Sequence, residues 1–185
     1  MVQFTAAEKE QYMREALFEA QSAAQIGEVP IGAVVVRQGE IIGRGHNIRE
    51  HTQDATTHAE ILAIQEACLN LKSWRLEDAA LFVTLEPCPM CSGAIINSRI
   101  AAVYYGATDP KAGTAGTFMN LLTDTRFNHH ATVESGVLAD QAQAQLQNFF
   151  RGIRARRKAA KQATREKLPD LQCKCNTKIT RPKRP

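Results

Sequence analysis

Residues 79–105 read Ala79-Ala-Leu-Phe-Val-Thr-Leu85, then Glu86-Pro-Cys-Pro-Met-Cys-Ser-Gly-Ala-Ile-Ile-Asn-Ser-Arg99, then Ile100-Ala-Ala-Val-Tyr-Tyr105. The first run is short, apolar and rich in strand formers, which predicts a buried strand over Ala79–Leu85. Pro87 suits a helix start, so a helix is predicted over Cys88–Ser98. The third run predicts a strand over Ile100–Tyr105. Strand, helix and strand in direct succession point to an α/β protein.

Outward toward the N-terminus, Thr5-Ala-Ala-Glu8 reads as a capping box. Met13, Ala16, Leu17, Ala20 and Ala24 then recur at helical spacing, and Gly27 ends the helix. Pro30 leads into an apolar strand, Ile31–Val36. Arg37-Gln-Gly39 is a turn, and Glu40–Gly45 returns as the second arm of a hairpin. Residues 46–57 are polar and loop-like. A second helix is predicted from Thr57 to Leu71, with Ile61, Ile64, Cys68 and Leu71 on one face. Toward the C-terminus, 106–128 is rich in Gly, Thr and Asp, with a short helix at Thr117–Leu122. Ala131–Glu134 is an edge strand. Asp140–Lys161 is a long helix turning Leu146, Phe149, Phe150 and Ile153 inward. The alternation predicts a three-layer α/β/α sandwich around a mixed sheet of about five strands. Residues 1–162 form one domain, and 163–185 are a basic flexible tail.

Composition sets further bounds. A chain of 185 residues with 44% apolar content is the size of one domain with a proper core. No apolar run reaches the roughly 18 residues of a membrane-spanning helix. Glu8, Lys9 and Glu10 stand where a secretory signal needs a basic patch and an apolar run, so a cytoplasmic protein without membrane contact is expected. The net charge of +4 conceals a split. Residues 1–150 hold 10 Lys and Arg against 17 Asp and Glu, a balance of −7, while 151–185 hold 13 against 2, a balance of +11. Such a basic end suits a phosphate backbone, and it also fits a solvated tail.

Five cysteines with one close pair, Cys88 and Cys91, do not resemble a disulfide framework. Pro87-Cys-Pro-Met-Cys91 puts two thiols on the first turn of a helix, where backbone N–H groups and the helix dipole favour thiolate. His58 opens the preceding helix. If the strand 79–85 lies beside the hairpin, both helix starts emerge at one sheet edge. His58, Cys88 and Cys91 then supply three ligands and leave a fourth position for water, the arrangement of a catalytic zinc. The metal brings the pKa of its water toward 7. Glu60, two residues from His58, is placed to take the water's proton and deliver it to a substrate. Each piece has a plainer reading. Thr57-His-Ala-Glu60 also fits a capping box, and Cys-x-x-Cys also fits a redox pair or half of a zinc knuckle. Cys68 reads as core, and Cys173 and Cys175 as incidental thiols of the tail. Taken together, His-x-Glu at a helix start followed by Pro-Cys-x-x-Cys after a strand is the established signature of zinc nucleobase deaminases.

The chain resembles the bacterial tRNA-specific adenosine deaminases, in the cytidine deaminase-like superfamily, from about residue 10 to residue 160. The resemblance rests on Gly27-Glu-Val-Pro-Ile-Gly-Ala33, His46-Asn47, Thr57-His-Ala-Glu60, Ser73-Trp-Arg-Leu76, Thr84-Leu-Glu-Pro-Cys88, Ser98-Arg-Ile100, Gly106 through Thr117, Phe127-Asn-His129 and Phe149-Phe-Arg151. It implies zinc-dependent hydrolysis of adenosine to inosine at the wobble position of a tRNA anticodon stem-loop, in bacteria an arginine tRNA. It implies one zinc per subunit and a homodimer. It assigns Asn47 to the flipped-out nucleoside and Val29, Pro30 and Leu85 to the walls of the base pocket. Asp109, Lys111, Asn128, Phe149 and Arg151 would handle neighbouring nucleotides. Ser92 and His130 depart from the family's usual alanine and arginine. The alternatives are a deaminase of a free base or nucleoside, which needs no basic helix, and a non-catalytic RNA-binding protein built on a closed four-ligand zinc.

Overall fold

Thr5 opens helix α1 (Ala6–Gln25) in the computed structural model, which describes residues 3–167. The Glu8 carboxylate accepts from the Thr5 N–H at 2.7 Å and the Thr5 hydroxyl accepts from the Glu8 N–H at 3.3 Å, completing the capping box. Then follow β1 (Gly32–Arg37), β2 (Glu40–His46), α2 (Arg49–Thr52), α3 (Ala59–Leu71) and β3 (Ala79–Leu85). After these come α4 (Pro89–Ser98), β4 (Ala102–Ala107), β5 (Thr132–Ser135) and α5 (Ala139–Lys167). Among the described residues, no helix is long and apolar enough to cross a membrane.

The five strands form one mixed sheet in the order β2-β1-β3-β4-β5. β1 is antiparallel to β2 and to β3, whereas β3, β4 and β5 run parallel. Strand side chains alternate between faces, and the sheet is apolar on both. Val34, Val36, Ala80, Phe82, Ala102 and Tyr104 pack with Tyr12, Met13, Ala16 and Leu17 of α1 and with Ala142 at the start of α5. Ala33, Val35, Leu81, Val83, Val103 and Tyr105 pack with Ala59, Ala63, Ile64 and Ala67 of α3 and with Ile95 and Ile96 of α4. The three-layer sandwich is therefore as the sequence predicts.

Small residues set the distance between layers. A Cβ at Gly43 would fall 2.2 Å from the Ala63 carbonyl oxygen, and one at Gly45 would fall 2.3 Å from that of Ala59. Both glycines stand on one face of β2, and Ala59, Ala63 and Ala67 recur every turn on the facing side of α3, so helix and strand backbones meet almost directly.

Several local expectations need correction. The 46–57 stretch carries the short helix α2. The buried stripe of α3 is Ala59, Glu60, Ala63, Ile64 and Ala67, while Ile61, Cys68 and Leu71 are half-buried. Glycines in β2 rather than large side chains face this helix, which selects its small residues for the core. In α1, Ala23 is buried and Ala24 is half-buried. Ile100 precedes β4, because its N–H closes the end of α4 onto the Ile95 carbonyl. Thr117–Leu122 is not helical. Gly116 sits at φ +149°, and the Glu86 carboxylate draws the N–H groups of Ala115 and Thr117 to itself. In α5, Leu146, Phe149 and Ile153 are half-buried and Phe150 is exposed. The chain divides into two compact units, Met1–Phe149 and Phe150–Pro185, and the described part of the second is the rest of α5. The expected flexible tail from residue 163 begins inside α5, which continues to Lys167; the rest of it, with Cys173 and Cys175, lies outside the described residues.

Gly45→Ala forces its methyl against backbone atoms that cannot swing away. It should destabilise the fold by about 1–3 kcal/mol, read as a lower denaturant midpoint. A midpoint equal to wild type would show that α3 does not rest on this glycine.

Candidate functional site

Antiparallel pairing puts Ala33 of β1 opposite Val83 of β3, and parallel pairing puts Leu85 of β3 opposite Ala107 of β4. Gly32 at the start of β1 pairs with His46 at the end of β2. The start of β1 and the ends of β2, β3 and β4 thus share one sheet edge, and α3 and α4 both begin there. His58 is the N-cap of α3, with extended backbone (φ −81°, ψ 156°) and no capping bond from its side chain. Cys88 is the N-cap of α4 on the same terms (φ −78°, ψ 173°), with Pro89 entering the first turn behind it. Cys91 is buried one turn further on.

These three side chains converge. Cys91 Sγ is 3.6 Å and Cys88 Sγ 3.8 Å from His58 Nδ1, and all three donor atoms lie within 4.8 Å of one another. Among the described residues this is the one such cluster of His, Cys, Asp and Glu. A hydrogen bond from Cys91 holds the Cys88 thiol down at about 4, against burial and with help from His58. Donating that bond, together with burial, pushes the Cys91 thiol up. A divalent ion between the two thiols would let both ionise, and two sulfurs with one imidazole nitrogen suit zinc. Its bond with Cys88 raises the His58 pKa, while burial opposes.

Glu60 sits on the first turn of α3 and is 4% exposed. Burial pushes its carboxyl up to about 7, and Cys91 is within hydrogen-bonding reach. The capping-box reading of Glu60 does not hold. His58, not Thr57, is the N-cap, and the Thr57 hydroxyl is engaged elsewhere, donating to the Asp54 carbonyl at 2.8 Å and meeting the Thr52 hydroxyl at 2.9 Å.

The other residues singled out in the sequence fall into two groups. Asn47 is buried beyond the end of β2 and its backbone N–H donates to the Ile31 carbonyl at 3.0 Å. Pro30 is buried, and Val29 and Leu85 are half-buried at the same edge. Asp109 and Lys111 follow β4, and the Lys111 N–H donates to Asp109 Oδ1 at 2.8 Å. Asn128 stands elsewhere. It accepts at 2.7 Å from Arg99, which ends α4, so it lies near the opposite end of that helix from Cys88, about 15 Å along the axis. Phe149 and Arg151 lie on α5, on either side of the boundary between the two units. Two of the remaining histidines have structural partners, the Ile100 carbonyl for His129 and Glu19 for His46.

Two buried carboxylates were not picked out from the sequence. Glu28 is 1% exposed; it accepts from Asn47 Nδ2 at 3.0 Å and from the His51 N–H at 2.6 Å, so it orients the amide and anchors α2. Glu86 accepts from the N–H groups of Asp109, Ala115 and Thr117 and from the Thr117 hydroxyl. Burial raises its pKa, but these bonds outweigh that and hold it below the usual carboxylate range. The available signal was a lone acid inside an otherwise apolar stretch, in Glu28-Val-Pro30 and again in Leu85-Glu-Pro87. Ser92 is buried and shares a hydrogen bond of 2.9 Å with Thr114.

The model of the MafB19-like deaminase family matches residues 7–154. A tRNA-specific adenosine deaminase of Bacillus subtilis (strain 168) is 57% identical over 152 residues, 82% of this chain and 94% of that protein. One of Streptococcus pyogenes serotype M3 (strain MGAS315) is 50% identical over 159 residues, 86% of this chain and 93% of that protein. Among solved structures, a tRNA:A34 deaminase studied for A-to-I editing at the wobble position of transfer RNA superposes with a TM-score of 0.71 at 43% identity. That match covers 74% of this chain and 99% of that one.

Replacing either cysteine by alanine leaves two ligands for any bound ion. Cys88→Ala and Cys91→Ala should each purify with less than about a tenth of the wild-type zinc, measured by elemental analysis. Full stoichiometry in either variant would remove that cysteine from the ligand set.

Proposed function

This chain belongs to the tRNA-specific adenosine deaminases, within the MafB19-like deaminase family, and from that premise we propose that it converts adenosine to inosine at the first anticodon position of a tRNA. The observation that carries the reading is the convergence of His58, Cys88 and Cys91 beside a buried Glu60. The reaction is hydrolytic: a C–O bond forms at adenine carbon six, the C–N bond to the exocyclic amine breaks, and ammonia leaves. His58, Cys88 and Cys91 would hold one zinc per subunit, which when bound supplies a Lewis acid that makes water a competent nucleophile near neutral pH. Glu60 takes a proton from that water, delivers it to the ring nitrogen beside the reacting carbon, and serves the leaving amine in the second half of the reaction. Its burial, which keeps a proton exchangeable near neutral pH, suits it to both directions.

The base must leave its stack to reach this edge, and an unpaired anticodon loop makes that less costly than a duplex. Asn47, held by Glu28, hydrogen-bonds the flipped nucleoside, with Val29, Pro30 and Leu85 as the walls around the base. Asp109, Lys111, Asn128, Phe149 and Arg151 meet neighbouring nucleotides. Arg151, Arg154, Arg157, Lys158 and Lys161 recur at helical spacing on α5 and are exposed, a stripe suited to phosphates. An arginine tRNA is the proposed substrate, a cytoplasmic homodimer the proposed working form, and residues 1–162 the deaminase domain, with 163–185 as its basic tail.

Incubation with an arginine tRNA anticodon stem-loop, followed by nucleoside mass spectrometry, should give inosine at the wobble position. Glu60→Ala should keep its zinc and lose turnover by at least about a hundredfold. A zinc-loaded wild type that yields no inosine would shift the assignment to a free base or nucleoside. Replacing Arg151, Arg154 and Arg157 together should weaken tRNA binding and flatten its salt dependence by about two to three phosphate contacts. An unchanged slope would show that this helix does not meet RNA.

A further inference from the structure

Glu86 stands between the end of β3 and the Pro87–Cys91 segment, and it is 2% exposed. Its backbone N–H donates to the Ala107 carbonyl at 2.8 Å, continuing the β3–β4 pairing. Its carboxylate accepts from the N–H groups of Asp109 at 3.0 Å, Ala115 at 3.0 Å and Thr117 at 2.9 Å, and from the Thr117 hydroxyl. Gly113 closes the ring, since a Cβ there would fall 2.3 Å from Glu86 Oε2. Thr114 ties the same loop to the metal-side segment, its N–H and hydroxyl both donating to the Pro87 carbonyl at 2.9 and 3.1 Å. A buried carboxylate is a costly way to fill space, and a residue chosen only for packing would be apolar. What this one adds is an acceptor at the centre of a loop, three of whose amides, those of Asp109, Ala115 and Thr117, turn to it rather than to a helix or strand partner.

We propose that Glu86 is a positioning residue that holds loop 109–117, and with it Asp109 and Lys111, in the conformation that receives the nucleotides flanking the target adenosine. It thereby sets affinity for the RNA rather than the rate of the chemical step. This rests on the tRNA reading above. The loop is clamped to the Glu86 carboxylate and, through Thr114, to the Pro87 carbonyl of the cysteine-bearing segment, so the surface that meets the neighbouring nucleotides stays in register with the place where the base reacts.

Glu86→Gln keeps the size of the side chain but turns one acceptor into a donor facing other donors. With the anticodon stem-loop as substrate, KM should rise about tenfold or more while kcat stays within about threefold and zinc per chain is unchanged. Thr117→Val removes one donor only and should raise KM about threefold on the same pattern. Amide hydrogen exchange should accelerate in both variants at Asp109, Ala115 and Thr117 while α3 and α4 keep their protection. A residue that merely supported the fold would lower the active fraction, so that kcat fell at constant KM, and that result would overturn the proposal, as would an unchanged KM in both variants. If Glu86→Gln does not fold, Thr117→Val alone decides. No inosine from zinc-loaded wild type overturns the tRNA reading and this proposal with it, whereas an active wild type with unchanged variants overturns this proposal alone.

Discussion

The close approach of α3 to β2 is the constraint on which the rest of the site depends. Gly43 and Gly45 present bare backbone to a helix face made of Ala59, Ala63 and Ala67. With the helix this near the sheet, its first turn comes level with the edge where β3 ends. His58 then meets the two sulfurs from the start of α4, and Glu60 is buried beside them. A larger side chain at either glycine would lift the helix, and His58 and Glu60 would move with it.

Three buried carboxylates surround this edge, and their partners separate their roles. Glu28 and Glu86 each face several donors, so they organise what lies around them: Asn47 and α2 in one case, the loop after β4 in the other. For Glu60 burial outweighs the bonds from its own backbone N–H and from Cys91, and its carboxyl is pushed up to about 7. A carboxylate held by donors from separate loops is fixed in position. One whose burial outweighs its hydrogen bonds, beside ionisable sulfurs, can trade a proton. The same residue type thus does structural and chemical work, sorted by the partners that reach it.

Much of the architecture was legible because its signals are local. The capping box at Thr5 and the apolar runs of β1, β3 and β4 each act through neighbours a few residues away, and the helix start read from Pro87 is there, although the proline in its first turn is Pro89. Misreadings occurred where a distant group overrode local preference. Thr117–Leu122 has helical composition, but its Thr117 N–H is taken by Glu86, about thirty residues earlier in the chain, and the Phe118 and Leu121 N–H groups donate to the Gly113 and Thr114 carbonyls. Ile61, Cys68 and Leu71 form a plausible apolar stripe on α3, yet the sheet beneath offers glycines, so alanines occupy the interface. Thr57 and Glu60 have capping-box spacing, but the hydroxyl turns to Asp54 and Thr52.

By itself the sequence determined the order of elements, the two ligand-bearing segments and the concentration of positive charge after residue 150, because periodicity, helix-start chemistry and composition are properties of the chain. Tertiary structure alone decided that the imidazole of His58 and the sulfurs of Cys88 and Cys91 share one point. Spacing of thirty residues along a chain carries no distance, and only the antiparallel pairing of β1 with β3 brings both helix starts to the same edge. It also decided which acids are held by donors and which is left to exchange a proton, since that depends on backbone N–H groups supplied from remote loops.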